Sequence, residues 1–219
     1  MKEKFFLRLV AGYPDFDTCF EIMNLCSELK VDALEILMPF SDPASDCSIV
    51  KKASVQCLKN GFSVQNSLDL IKKFKGNCAL YWVGYFNSIY NYGIEKFFNA
   101  LEEYGAKGVM IFDLPFEEFK RLPKTNLDII RTITPKSDTQ RIKSMLKSAT
   151  GYVYCAMASD DKIKEIKTIK NLPVISGLNT NAHPDGKIAH FEVAKIIREN
   201  SSKEVMLSKI KEFILSNKG

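Results

Sequence analysis

Residues 33–46 read ALEILMPFSDPASD, and this stretch decides both the fold and the place of any chemistry. Val31, Ala33, Leu34, Ile36, Leu37 and Met38 make an apolar run of strand length, the pattern of a strand covered on both faces in a parallel sheet. Glu35 interrupts that run, and a carboxylate there is costly unless it is solvated, paired or protonated. The PFSDPASD that follows has the composition of a loop and brings in Asp46 eleven residues after Glu35. A strand-end Glu with an Asp on the adjoining loop is how an α/β barrel assembles an acid/base pair.

On either side of this stretch, strand and helix alternate. Strands are expected over 5–11, 33–39, 78–85, 108–115, 128–134, 151–158, 172–179 and 187–191. Helical spacing of apolar residues covers 17–30, with Asp17 as N-cap, then 49–60 and 64–75, separated by Asn60-Gly61. Further helices are expected over 94–105, 116–122, 139–149 (capped by Asp138), 162–170, 192–200 and 205–215. Only TNAHPDG separates the seventh strand from the eighth, too little for a crossover helix. The missing helix is expected to leave part of the barrel wall open.

Length and composition fit this pattern. The 219 residues, 46% hydrophobic, suit a single domain over 1–219, short of the roughly 250 typical of an eight-stranded barrel. The net charge is +5, but the lysines alternate with acids and apolar residues on helices, which argues against a nucleic-acid patch. Cys19, Cys26, Cys47, Cys57, Cys78 and Cys155 show no metal-like spacing and are expected to be mostly buried free thiols of a reducing compartment. No signal peptide or membrane-length apolar run is visible, so the expected location is cytoplasmic.

The block ALEILMPFSDPASD is similar to the ALELGxPFSDPxADG signature of the tryptophan synthase α subunit. FFLRLVAGYPD resembles that family's first strand and Gly-Asp-Pro turn, GYFNSIYNYGIEKF its MYANLVFxxGIDxF segment, and IFDLPFEE its VADVPxEE segment. The resemblance implies a TIM (β/α)8 barrel, here shortened and lacking the N-terminal plug helix and the helix between strands seven and eight. It implies a lyase of tryptophan biosynthesis that cleaves indole-3-glycerol phosphate to indole and glyceraldehyde 3-phosphate. It also implies docking on a pyridoxal-phosphate β-type subunit in a heterotetramer, partly through residues 40–52, with no cofactor or metal in the barrel itself.

Position by position, Glu35 would act on the indole carbon C3, and Asp46 would stabilise positive charge on the indole nitrogen. Tyr85, Asn87, Asp113, Tyr152, Tyr154 and Gly177 match substrate-binding positions. Read from the residues alone, Glu35 could equally be a buried acid bonded to a backbone group or a tyrosine, and Asp46 a turn former. Asn87 and Asp113 could be hydrogen-bond partners of a nearby loop.

Several positions depart from the family pattern. Leu37 replaces a glycine, and Cys47 replaces the glycine after the aspartate. The loop after strand six, SRAGVTG in the family, reads MASDDKI. The Gly-Ser that opens the phosphate-binding helix terminus is His190-Phe191, followed by Glu192. These changes define an alternative: a degenerate α-like barrel without phosphate-dependent catalysis, serving as a binding or scaffolding subunit. A third reading is a related lyase for a smaller, non-phosphorylated indole or aromatic substrate.

Overall fold

The computed structural model describes residues 2–44 and 46–218, so Ser45 of the 40–52 loop lies outside the described residues. Eight parallel strands close into a barrel in sequence order: β1 Lys4–Val10, β2 Ala33–Leu37, β3 Ala79–Gly84, β4 Gly108–Ile111, β5 Asp128–Ile133, β6 Val153–Cys155, β7 Val174–Gly177 and β8 Gly186–Ala189. Around them lie α1 Phe16–Glu28, α2 Ser48–Lys59, α3 Val64–Lys73, α4 Phe86–Tyr92, α5 Ile94–Glu103, a 3-10 helix Phe116–Arg121, α6 Thr139–Leu146, α7 Asp160–Ile169, α8 Glu192–Glu199 and α9 Lys203–Asn217. This is the expected TIM (β/α)8 architecture, and no helix joins β7 to β8.

Local details differ from the sequence expectation. Asp15, not Asp17, caps α1: its carboxylate accepts the Thr18 amide at 2.8 Å, while Asp17 sits in the first turn. Asp138 does cap α6, accepting the Arg141 amide. β4 ends at Ile111, which leaves Asp113 on the loop beyond it. The helix α4 was not expected, because its seven residues FNSIYNY show no clear amphipathic period.

The wall at β7 and β8 is not open. Val174, Ile175, Ile188 and Ala189 have no solvent exposure. Val174 packs outward with Ile163 and Ile166 of α7 and with Ala182 of the connecting loop. Ser176 Oγ donates to the Cys155 carbonyl at 2.8 Å, and Lys187 pairs with Glu3 at 3.4 Å. A tucked-in loop and two polar outward positions therefore replace the missing helix. Five of the six cysteines are buried and all are free, with Cys47 exposed.

Register decides what meets inside the barrel. β1 and β2 pair so that Arg8 lies beside Glu35, and β3 continues the row with Tyr81. Strand neighbours in register share a face, so the two charges enter the interior together. Phe6, Tyr81 and Tyr152 pack around each other there, with Tyr152 edge-on to both other rings at 5.2 and 5.0 Å. Aromatic pairs in this geometry add to the burial of their area.

At Gly108 an added Cβ would stand 2.5 Å from the Asp128 carbonyl oxygen of the neighbouring strand. Gly108→Ala is therefore expected to lower stability by about 1–3 kcal/mol, as overpacking against backbone does, read as a lower urea midpoint. An unchanged midpoint would mean that β4 and β5 tolerate a wider separation.

Candidate active site at the barrel mouth

Glu35 has no solvent exposure, and every contact that compensates its charge comes from the barrel interior. Arg8 reaches it with two nitrogens, Nε at 2.6 Å and the Nη2 atom at 2.5 Å, both on Oε2. The Tyr152 hydroxyl donates to Oε1. Arg8 is itself 6% exposed, with its guanidinium 5.3 Å from the ring centres of Phe112 and Tyr154. Burial is the largest influence on Arg8 and pulls its pKa down, but the charge and hydrogen bond of Glu35 together with Tyr154 and Tyr152 turn the net direction up. Burial and the Glu35 charge together push Tyr152 well above the ordinary phenol value. Tyr152 is thus a fixed, neutral donor.

Asp46 lies on the loop after β2, where the Tyr85 hydroxyl donates to it at 3.2 Å. Tyr85 stacks on Phe40 at 4.6 Å and leans on Phe112 at 5.6 Å, so an aromatic wall runs along this side of the mouth. Burial raises the Asp46 pKa, with Arg8 and Tyr85 pulling the other way. Glu35 is paired with Arg8 directly, whereas Asp46 is held by the Tyr85 hydroxyl and only feels the Arg8 charge.

The remaining candidates divide. Tyr154 faces the cavity and shares a 3.0 Å hydrogen bond with His190 Nε2. Gly177 borders the same cavity, and a Cβ there would stand 3.2 Å from that imidazole nitrogen. Asn87 and Asp113 lie apart from this group. Asn87 is exposed on α4, and the exposed Asp113 accepts the Phe86 amide at 2.7 Å, which fixes the start of α4. Their geometry is that of loop partners. Leu37 is buried and fills the inward volume that a glycine would leave open.

The β6–β8 side carries three further changes. The loop after β6 is only 156–159, because Ser159 caps α7 and Asp160 and Asp161 are taken into its first turn. Acids there suit the positive end of the helix dipole. At α8 the Glu192 carboxylate accepts the amide of the N-cap residue Phe191 at 3.0 Å, and no side chain caps the first-turn amides. His190 is pushed down to about 3 by burial and by Arg8, which makes it a neutral imidazole at ordinary pH. Among the described residues no group of His, Cys, Asp and Glu could hold a metal ion.

Arg8 is the residue that sequence reasoning missed. Its signal was available: a lone charge in FFLRLVA, in a strand adjacent to the one that carries a lone Glu35. Two isolated opposite charges on neighbouring buried strands imply a pair.

With this geometry in place, the comparisons are consistent with one another. The family model described as tryptophan synthase alpha chain matches residues 1–194. The chain belongs to that family. A tryptophan synthase alpha chain from Petrotoga mobilis is 31% identical, the match covering 96% of this chain and 93% of the relative. One from Leptospira interrogans is 29% identical over 87% of this chain and 84% of the relative. A tryptophan synthase complex from Pyrococcus furiosus contains a chain that superposes with a TM-score of 0.86 at 24% identity, covering 99% of this chain and all of that one. That likeness carries the fold. Among the described residues no helix is long and apolar enough to cross a membrane.

Two measurements test the site as described. Arg8→Met is expected to cost about 3–5 kcal/mol, because it leaves a buried carboxylate unpaired. Arg8→Met combined with Glu35→Leu should recover much of that loss in a urea-unfolding cycle. Simple additivity of the two single variants would show that the charges are not coupled. For His190 the folded value of about 3 lies below the ordinary 6.5. The unfolded state then binds the proton first as pH falls, so this contribution is whole above about pH 6.5 and is lost between 6.5 and 3. Wild type should lose more stability than His190→Phe between pH 7 and pH 4.5, and parallel losses would contradict a buried neutral imidazole.

Proposed function

We propose that the chain is a carbon–carbon lyase of the tryptophan synthase α type, releasing indole from an indol-3-yl glycerol substrate such as indole-3-glycerol phosphate. The observation that carries this reading is the buried Arg8–Glu35 pair at an aromatic-walled barrel mouth, where the Tyr85 hydroxyl holds Asp46. The retro-aldol step requires a proton on ring carbon C3 and removal of the proton from the hydroxyl on the attached carbon. The bond between those carbons then breaks, and its electrons return to the ring while the hydroxyl carbon becomes an aldehyde. Glu35, the anionic half of an ion pair, accepts the hydroxyl proton and passes a proton to C3. Asp46 faces the ring nitrogen as positive charge develops there. Tyr85, Tyr152 and Tyr154 hold the ring and the carboxylates in position.

A second reading is favoured by one observation, the clamp on Glu35. A carboxylate with no exposure, two hydrogen-bond donors and an ion pair is organised for structure. On that reading the barrel serves as a binding or scaffolding subunit. Either way, a β-type subunit that holds pyridoxal phosphate is the proposed partner, met through the loop 40–52 at the mouth.

Indole release from indole-3-glycerol phosphate and from its dephosphorylated form, with and without a β-type subunit, separates the two. The lyase reading expects Glu35→Gln to lose about 10²–10⁴-fold in rate, the usual share of a positioned acid or base. No turnover of either substrate above the Glu35→Gln level would leave the scaffold reading.

A further inference from the structure

The Arg8 guanidinium meets Glu35 through one edge only. Nε and Nη2 both lie on Oε2, and Nη2 also stands 4.0 Å from the Met110 sulfur. Nη1 carries a pair of the guanidinium N–H donors, and among the described residues it has no partner. Nor is it sealed in: among the described residues Arg131 Nη2 is the one fully buried side-chain nitrogen or oxygen without a hydrogen bond. Solvent reaches 5% of the Arg8 side chain. The guanidinium end lies toward the mouth, since its charge acts on both Asp46 and His190, which stand beyond the ends of β2 and β8. Phe112 and Tyr154 flank it at 5.3 Å each and hold it in place.

We infer that Arg8 is a catalytic residue whose Nη1 donates to the substrate oxygen that starts as the ring-adjacent hydroxyl and ends as the aldehyde. The reaction rests on the lyase reading; the contact rests on the geometry of Arg8. Nη1 and Glu35 belong to the two halves of one ion pair, so an oxygen held by Nη1 has its proton beside the carboxylate. In the step, with C3 of the ring already protonated, the hydroxyl proton passes to Glu35. The bond from the hydroxyl carbon to C3 breaks, its electrons return to the ring, and an oxygen lone pair completes the carbonyl. Negative charge gathers on the oxygen as its proton leaves, and a donor fixed there beforehand stabilises it without reorganisation. Arg8 keeps its own protons throughout. A lysine ammonium could meet Oε2 as a point charge, but it has no second arm to reach the substrate.

Two ligands that cannot be cleaved read the contact in the full chain: 3-(indol-3-yl)propyl phosphate, with a methylene next to the ring, and its ketone, with a carbonyl there. By calorimetry wild type is expected to bind the ketone at least about 10-fold more tightly than the methylene compound. Arg8→Lys should bring the two within about 2-fold and leave the methylene compound unchanged. Tyr154→Phe should leave the wild-type ratio as it is. Equal binding by wild type, a ratio that survives Arg8→Lys, or a ratio that collapses in Tyr154→Phe would each overturn the inference. If Arg8→Lys fails to fold, the wild-type and Tyr154→Phe ratios decide. In turnover of indole-3-glycerol phosphate, Arg8→Lys should lose about 10²-fold in kcat, and an unchanged kcat would also overturn it. No indole release by wild type would retire the lyase reading, and the oxygen contact would then stand or fall on the ligand ratios alone.

Discussion

The Arg8–Glu35 pair is the interaction around which this barrel is organised. Two ions are taken out of water inside a small interior, and each would cost several kcal/mol if it stood alone. Their strands must therefore stay in register, because a slip of one residue would send one charge to the opposite face. Phe112 and Tyr154 sit against the guanidinium, and Tyr152 takes the carboxylate oxygen that Arg8 leaves free. The pair thus fixes β1 against β2 and reaches across to β4 and β6. Apolar residues of equal volume could supply as much stability. What the charges add is a unique register and a polar centre at the mouth.

The same economy recurs at α8. A helix start is a natural anion site, and here an acid of the chain, Glu192, lies in the first turn and accepts the N-cap amide. At α7, Asp160 and Asp161 lie in the first turn and Ser159 caps it. Both helix starts on this side of the barrel thus carry acids of the chain in their first turns. Leu37 takes up volume in the interior. Inside the barrel, Glu35 is paired and hydrogen-bonded before any ligand arrives.

The architecture was legible in the sequence because it rests on period and punctuation. Apolar runs of strand length, helical stripes and the short TNAHPDG connection gave eight strands with one crossover absent. The closed wall at that connection was not legible, since it depends on Ala182 turning inward and on Ser176 finding the Cys155 carbonyl, neither of which has a local signal. Glu35 and Asp46 stood out as charges in the wrong company, and the structure pairs Glu35 with Arg8 and Asp46 with the Tyr85 hydroxyl. Asn87 and Asp113 were matched by position alone, and position does not say which way a side chain turns once an unexpected helix follows β3. Arg8 carried the same signature as Glu35, but a lone charge becomes informative only when its partner strand is known.

Magnitudes bear on whether such a satisfied site can turn over. A positioned acid or base contributes about 10²–10⁴ in rate, roughly 3–5 kcal/mol of barrier. Hydrogen bonds to a charged group contribute about 1.5–3 kcal/mol each, and Glu35 accepts one from Arg8 Nε and one from Tyr152, with Arg8 Nη2 in ion-pair contact. Freeing the carboxylate outright would cancel what it could give. Catalysis by Glu35 therefore requires that it keep most of these bonds while it exchanges a proton. That is possible only if the proton moves along the Tyr152 hydrogen bond, or if a substrate hydroxyl takes over a donor position. A neutral hydroxyl can make that exchange without breaking the ion pair. An anion at the same place would compete with Glu35 for Arg8 and undo the contact that holds β1 to β2.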